Sequence, residues 1–589
     1  MHLPRYFVPC RVRRSRRARR DSPVLVLGAV VVLCIGCFSA DSRTDATLVV
    51  RNANVITVDA NAPEATAFAV DGDRFVRVGG ESEVLELAGD AARVIDLGGR
   101  TVTPGFNDAH LHPVAIPPKA VYVGPPIVTV DGIVERLREA AAEAPVGSWI
   151  LGWGYEDVDL GRHLDRHDLD AVSEDRPVMV IHGSLHVFAV NSRALVTAGV
   201  SAETPEPGGG GRFFRGEDGE PTGLLTERPA LEALFNEEQP SWRPRSLGDA
   251  QMQLRERLAQ LYAEGVTSIG DALVPPELAL VYWLLALRGE PMRASLMIQS
   301  ESLTFAKWLP RLDAVLGLFG YRPFDNERLR ARTVKVFHGL SVSAHTARLY
   351  EPYAKPPGYR GLEPQRSQAE LEALLREIHE AGLQMAVHSN GDYEIDMVLD
   401  AIEALLEDAP REDHRHRIEH GTVATAPILA RMKALDLVLA PHSYVYENGR
   451  RLEDFGEWRF EHLIPNGAAY ALGIPVAGNS DYPVSSSNPM LRIQSLVTRE
   501  SRYGKVYGPS QRLTVDQALH SFTMGGAFAT FEEDQKGSIS PGKLADFVVL
   551  SSDPRTAPPH EIRNIRVLCT FIGGDLVYSV EGEDPGCLD

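Results

Sequence analysis

Cysteine is scarce in this 589-residue chain: there are five, and Cys10, Cys34 and Cys37 all fall within the first 37 positions. Only Cys569 and Cys587 remain, too few for a disulfide framework or a thiolate metal cluster. Any bound metal must therefore use nitrogen and oxygen ligands. Basic charge is also scarce beyond the N-terminus. The net charge is −20, and residues 1–36 hold eight Arg against one Asp, so the rest of the chain carries −27. So acidic a body argues against nucleic acid as a partner. The one long apolar run, Val24–Ile35, spans 12 residues, short of the roughly 20 that a membrane-spanning helix needs. The remainder, 44% hydrophobic and 24% charged, has the composition of an ordinary globular protein.

What the chain does have is a set of ligand-type residues in one recurring setting. In Thr103-Pro-Gly-Phe-Asn-Asp-Ala-His-Leu-His-Pro113, His110 and His112 are two apart. On an extended segment that spacing turns both rings to one side, where they can hold one divalent cation. The pair alone also arises by chance on exposed strands. Further candidates follow: Lys335 in RTVKVFHG, His388 in MAVHSNGD, His420 in RIEHG and Asp481 in IPVAGNSDYP. Each lies on or ends a short apolar run of strand type that opens into Gly, Ser, Asn or Pro. A bland reading stands beside each: Asp481 as a helix cap, His420 as a core histidine bonded to backbone, Lys335 as a structural cation.

Strand-like runs alternate with helical ones through most of the chain. The expected strands are Thr101–Phe106, Val266–Ile269, Ala294–Ile298, Val334–Phe337, Gln384–Val387, Arg417–Ile418, Leu437–Leu439 and Ile474–Ala477. Amphipathic helices such as Ser367–Ala381, Tyr393–Leu406 and Val515–Thr530 fit the gaps. Eight alternations suggest an α/β fold, a (β/α)8 TIM-type barrel, in which active sites lie at the C-terminal strand ends. Both chain ends read as β. The expected layout is an export signal at 1–37, a tether at 38–46, β segments at 47–103 and 536–589, and the barrel at 104–535. An insertion at about 114–248 holds a helix, Val134–Ala144, a strand-like Pro177–His182 and a Gly-rich loop, Pro205–Arg212. Such a loop can act as a hinge, or simply be an exposed connection. His163 and His167, set among charges, are expected to be solvated.

The segments TPGFNDAHLHP, GVTSIGDA, VKVF, AVHSNGD, RIEHG, GNSDYPV and KGSISPGKLADFVVL together resemble the amidohydrolase superfamily, in particular the amidohydrolase family 3 (YtcJ-like) branch. The resemblance runs from about Leu48 to about Tyr578. It implies that both chain ends close into one small β-sandwich, and that the insertion is a lid after the first barrel strand. It implies that His110 and His112 hold one metal and His388 and His420 a second, with zinc as the default. Asp481 would touch the first metal and move the proton of the attacking water. Lys335 would be carboxylated and bridge the metals. His186, in SLHVFAVNS, would face substrate. The chain departs from the family pattern after Lys335, where an expected acidic residue is missing and His338 stands nearby. His338 and His442 are further candidates for substrate contact.

The implied activity is hydrolysis of a non-peptide C–N bond (amide, N-formyl or cyclic amide) in a small molecule, through a metal-activated water. Alternatives are a deaminase or esterase-like hydrolase on the same metal core, or a non-catalytic surface-binding lipoprotein. The Arg-rich N-terminus, its apolar run and Ile35-Gly36-Cys37 read as an export signal that resembles a lipobox. The expectation is an exported, periplasmic or envelope protein with a lipid anchor at Cys37. Homodimer formation is left open.

Overall fold

In the computed structural model of the chain, which describes residues 46–117, 119–145, 147–235, 246–582 and 586–587, seven parallel strands frame the site. They are β1 (Phe106–Leu111), β2 (Val266–Val274), β3 (Arg293–Gln299), β4 (Leu329–Phe337), β5 (Gln384–Ser389), β6 (Arg417–His420) and β7 (Val438–Pro441), hydrogen-bonded in that order. The segment at 474–478 nearly closes the ring. Leu439 N donates to Pro475 O (2.9 Å), Ala477 N to Leu439 O (2.9 Å) and Ala109 N to Gly478 O (3.1 Å). The sequence suggests a full eighth strand here; the structure makes only an isolated parallel bridge, Leu439 with Val476.

The strands are buried on both faces, as parallel strands under helices must be. Outward-facing residues such as Val334, Val387, Ile418 and Leu439 join one core cluster with the helices Gln368–Glu380 and Asp392–Asp408, through Leu371, Leu375, Ile395, Val398 and Ile402. The first of these helices starts in a capping box, Ser367 with Glu370. The expected single helix at 515–530 is broken by a π-turn, Ser521–Gly525, whose Ser521 O accepts Gly478 N (2.8 Å) beside the barrel opening.

The His-x-His run is not one strand. Thr101–Pro104 pairs in an outer sheet with Phe547–Leu550 and Asn54–Ile56, and the first barrel strand begins at Phe106. Between them Gly105 N bonds to Asp546 O (2.9 Å) and Phe106 N to Gly265 O (3.1 Å), so the backbone changes partners across one residue. A Cβ at Gly105 would lie 2.1 Å from Thr267 Oγ1, so the crossing needs glycine.

Two sheets from the chain ends face one another. One runs Arg74–Gly79, Ala67–Asp71, Ala46–Arg51, Ala88–Asp96. The other runs Asp575–Ser579, Val567–Ile572, Phe547–Leu550, Thr101–Pro104, Asn54–Ile56, Glu64–Ala65. They share a core of Phe68, Phe75, Phe547 and Phe571, the last two stacked at 4.3 Å. Cys569 and Cys587 form a disulfide that ties the C-terminal segment to this core.

Between β1 and β2 the insertion builds its own six-stranded mixed sheet, of which the sequence reading found one strand. Val178–His182 sits inside it, flanked by Ile150–Tyr155 and Val187–Val190, and helix Val130–Glu143 covers one face. His167 is exposed, whereas His163 packs inward, its Nδ1 3.2 Å from the Tyr155 hydroxyl. The leader at 1–37, including Cys37, and residues 38–45 of the tether lie outside the described residues. No described helix is long and apolar enough to cross a membrane.

Candidate metal centre

Strand alternation on β1 sends Asp108 and His110 to the barrel interior, and His112 follows just past its end. On β6 the same rule sends Arg417 and Glu419 inward while Ile418 points to the helices. These two strands meet through a carboxylate. Glu419 Oε2 accepts from His110 Nδ1, and Arg417 donates to both Glu419 oxygens, at 2.7 and 2.9 Å. All three side chains are fully buried. With Nδ1 engaged, the His110 Nε2 lone pair is left to face the centre.

The centre is organised around Asp481. Its Oδ1 lies 3.5 Å from His110 Nε2 and 3.4 Å from His112 Nε2. Its Oδ2 lies 3.6 Å from His442 Nδ1 and 3.9 Å from His420 Nδ1. Two strained residues produce this. His420 has φ +72° and Asp481 φ +52°, a left-handed backbone that costs non-glycine residues about 1–3 kcal/mol and clusters at functional sites. At His420 the turn swings the ring inward just where plain alternation would send it out. Asp481 is pinned by its N–H to His110 O (2.8 Å).

Burial would raise the Asp481 carboxyl, but the hydrogen bond with His112 and the charges of His110 and His442 hold it well below the usual carboxylate range. Burial pulls the imidazoles the other way, His110, His388 and His420 well below their ordinary value and His442 to about 4, with Lys335 or neighbouring His charges adding to it. Burial thus favours the neutral, ligand-competent form of these four rings. Lys335 Nζ lies 3.1 Å from His110 Nε2. Its pKa falls to about 8 through burial, opposed by the charges of Glu419 and Asp481. Among the described residues, His420 Nδ1 and His442 Nδ1 are buried with no hydrogen-bond partner, a costly state for a polar atom. A divalent cation between these nitrogens and Asp481 would satisfy both, so the residues fit one.

The other expected site residues are placed differently. His388 has its ring 4.4 Å from His420, but its Nε2 accepts from Asn390 Nδ2 (3.1 Å) and lies 3.4 Å from Leu340 O. The atoms gathered with His420 around Asp481 are thus those of His442. His186, on the insertion, faces His388 at 5.6 Å between ring centroids, and its Nδ1 donates to Glu227 Oε2 (2.8 Å). Burial would lower the His186 pKa, but the charge and hydrogen bond of Glu227 outweigh it and leave it raised. His338 is not brought to the cluster. It is fully buried, among the described residues neither ring nitrogen has a hydrogen-bond partner, and burial together with the Arg366 charge pulls it to about 4. The Gly-rich loop closes on the barrel. Gly210 (φ +81°) lies so near Leu340 that a Cβ would meet its side chain at 3.0 Å.

The sequence reading missed Glu419 and Arg417, although charged residues two apart around Ile418 in a buried strand were the available signal. Glu227 gave none. A second set of ligand-type side chains, Asp157, His163 and His182, lies on the insertion. There Arg451 pairs with Asp157, so the carboxylate already has its counter-charge.

Comparison with known proteins places the chain in a family. The chain is 31% identical to the N-substituted formamide deformylase of Arthrobacter pascens over 91% of its length and 99% of that protein. It is 29% identical to the putative amidohydrolase YtcJ of Bacillus subtilis, over 86% and 97%. A metal-dependent hydrolase from Pyrococcus horikoshii superposes with a TM-score of 0.67 at 23% identity, covering 87% of this chain and 99% of that one, a likeness of fold. The amidohydrolase family model matches residues 93–578. The chain therefore belongs to the amidohydrolase family and is a metal-dependent hydrolase acting on carbon–nitrogen bonds.

Proposed function

We propose that this protein cleaves the C–N bond of a small amide-type substrate, an N-substituted formamide in the first instance. The observation that carries the reading is the Asp481 carboxylate, with each oxygen facing a separate pair of imidazoles. The formamide choice is supported by the similarity to the deformylase, which covers 99% of that protein.

His110, His112 and Asp481 would hold one cation, and His420 and His442 with the other Asp481 oxygen a second. His388 stands next to the second set, and its Nε2 lone pair would join the same cation only by giving up the hydrogen bond from Asn390. Zinc is the default for such nitrogen and oxygen ligands. When bound, such an ion acts as a Lewis acid on the substrate carbonyl and lowers the pKa of its water to about 7. Asp481, held as a carboxylate, accepts a proton from the attacking water at Oδ and delivers it to the departing nitrogen. His186, on the insertion and facing His388, would contact the substrate.

Lys335 has two states. As an amine it faces His110 Nε2. Its lowered pKa leaves a fraction of neutral amine at pH 7, which attacks carbon dioxide, forming an N–C bond and releasing one proton. The carbamate so formed would be a second carboxylate ligand. Export is supported by the Cys569–Cys587 disulfide, a bond that persists in oxidising compartments; cell fractionation of the full chain tests it.

The functional test is turnover of a panel of N-formyl and N-acyl amines, read as formate or acid release beside free ammonia, with metal content measured on the same protein. Formate release with one or two zinc ions per chain is expected. Ammonia without acid would replace this reading with deamination, and a metal-free protein inert on every compound would overturn it. Lys335→Ala should lose one of two ions; unchanged stoichiometry would refute the bridging carbamate.

A further inference from the structure

The insertion adds one more constellation to the site. His186 and Glu227 stand at the same end of two neighbouring antiparallel strands, Val187–Val190 and Pro221–Thr226, whose register pairs Val187 with Thr226. The next pair out is His186 and Glu227, joined through backbone by Glu227 N to His186 O (2.8 Å). Their side chains are joined as well. An ionised carboxylate only accepts, so His186 Nδ1–H donates to Glu227 Oε2 (2.8 Å). The second oxygen, Oε1, accepts from Thr346 Oγ1 (2.7 Å), in the barrel segment after β4. Thr346 is itself held, its Oγ1 accepting from Ser341 N (2.9 Å).

Glu227 is only 2% exposed and has φ +65°. A buried glutamate in that backbone region is a strained position that the surrounding structure must enforce. Its partners are a histidine on one oxygen and a hydroxyl on the other; among the described residues no Arg or Lys bonds to it, unlike Glu419 with Arg417. His186 is 23% exposed at its side chain and looks across to His388. The arrangement repeats His110–Glu419: a buried carboxylate grips Nδ1 and leaves Nε2 to face inward.

We propose that Glu227 is a positioning residue for substrate recognition. It fixes the ring plane and tautomer of His186 so that Nε2 faces the substrate opposite the metal centre. Through Thr346 it ties this contact to the barrel. The proposal rests on the reading of His186 as a substrate contact.

The test is a double-mutant cycle in the zinc-loaded full chain, assayed on the best formamide of the panel. Glu227→Gln nearly preserves shape but removes the charge that grips the His186 Nδ1–H, and it leaves Thr346 facing an amide that donates rather than accepts. It should lower kcat/KM by about 10–100-fold, the scale of losing an orienting carboxylate, with metal content unchanged. Glu227→Gln in a His186→Ala background should cost less than about twofold further, because the residue it positions is gone. Losses that multiply, or Glu227→Gln within twofold of the native enzyme, would overturn the proposal. A readout that needs no turnover keeps this separate from the assigned reaction. Histidine-labelled protein, held at a pH above the raised His186 pKa and with His186 assigned by the His186→Gln variant, should show imidazole ¹⁵N shifts with Nδ1 protonated and Nε2 bare. Glu227→Gln should mix the tautomers. An unchanged spectrum in Glu227→Gln refutes the positioning role even if formamides prove not to be substrates.

Discussion

Replacing Glu419 by Gln would remove one charge and leave the shape of the centre almost intact. The native carboxylate accepts two hydrogen bonds from Arg417 and one from His110, all in full burial. Gln offers one acceptor oxygen, and its amide N–H must face either the guanidinium or the imidazole N–H, donor against donor. Arg417 then keeps a buried positive charge without a counter-ion, a loss of about 3–5 kcal/mol for a broken buried pair. His110 loses the partner that orients it, which weakens metal affinity about 10–100-fold, or roughly 1.4–2.7 kcal/mol. The two losses separate in the double variant Arg417→Met/Glu419→Gln. There the orphan charge is gone, and most of the stability should return without the metal affinity. Urea unfolding of the metal-free protein measures the first quantity and competition with a chelator the second. A single variant as stable as the native protein, or a double variant with native metal affinity, would refute the reasoning.

Asp481→Asn should leave the fold intact while turnover falls by about 10³-fold, the scale of losing a general base; near-native kcat would remove Asp481 from the chemistry. Cys569→Ser should cost about 3 kcal/mol, given a sequence separation of 18 between the bridged cysteines, and reductant should lower Tm in the native protein but not in the variant. On the barrel exterior, His379 Nδ1 lies 2.9 Å from His416 Nε2 and the His414 ring stacks on His416. Burial and the Arg411 charge depress all three, His414 to about 4. The unfolded chain therefore takes up protons first as pH drops below about 6.5, and stability present above that value is lost progressively toward pH 4. Tm should fall over this window, and His414→Gln should flatten the slope; an unchanged slope would show that this trio is not its source.

Much of this protein was legible because its chemistry is written locally. Strand-type runs ending in His, Lys or Asp identify barrel strands and their ligand-bearing ends, and two-residue alternation brings His110 and His112 to one side. The family resemblance rests on those same segments. The Cys pair shows the limit of counting: two cysteines 18 apart make no framework, yet the fold lays them side by side, because Val567–Ile572 and the chain terminus meet at the small sheet. His442 in place of His388 beside Asp481 has the same character. Both are strand-end histidines, and what separates them is Asn390 holding one Nε2.

The sequence by itself therefore determined the class of fold, the kind of ligands and the strands that carry them, since these depend on period, residue chemistry and spacing along one segment. Tertiary structure alone decided which atoms meet. The left-handed turn at His420, the Glu419 bridge from β6 to His110, and the Glu227 contact from the insertion to His186 join residues 309 and 41 positions apart in the last two cases. Such pairings follow from how the strands are ordered and how the insertion seats on the barrel, which no short stretch of chain encodes.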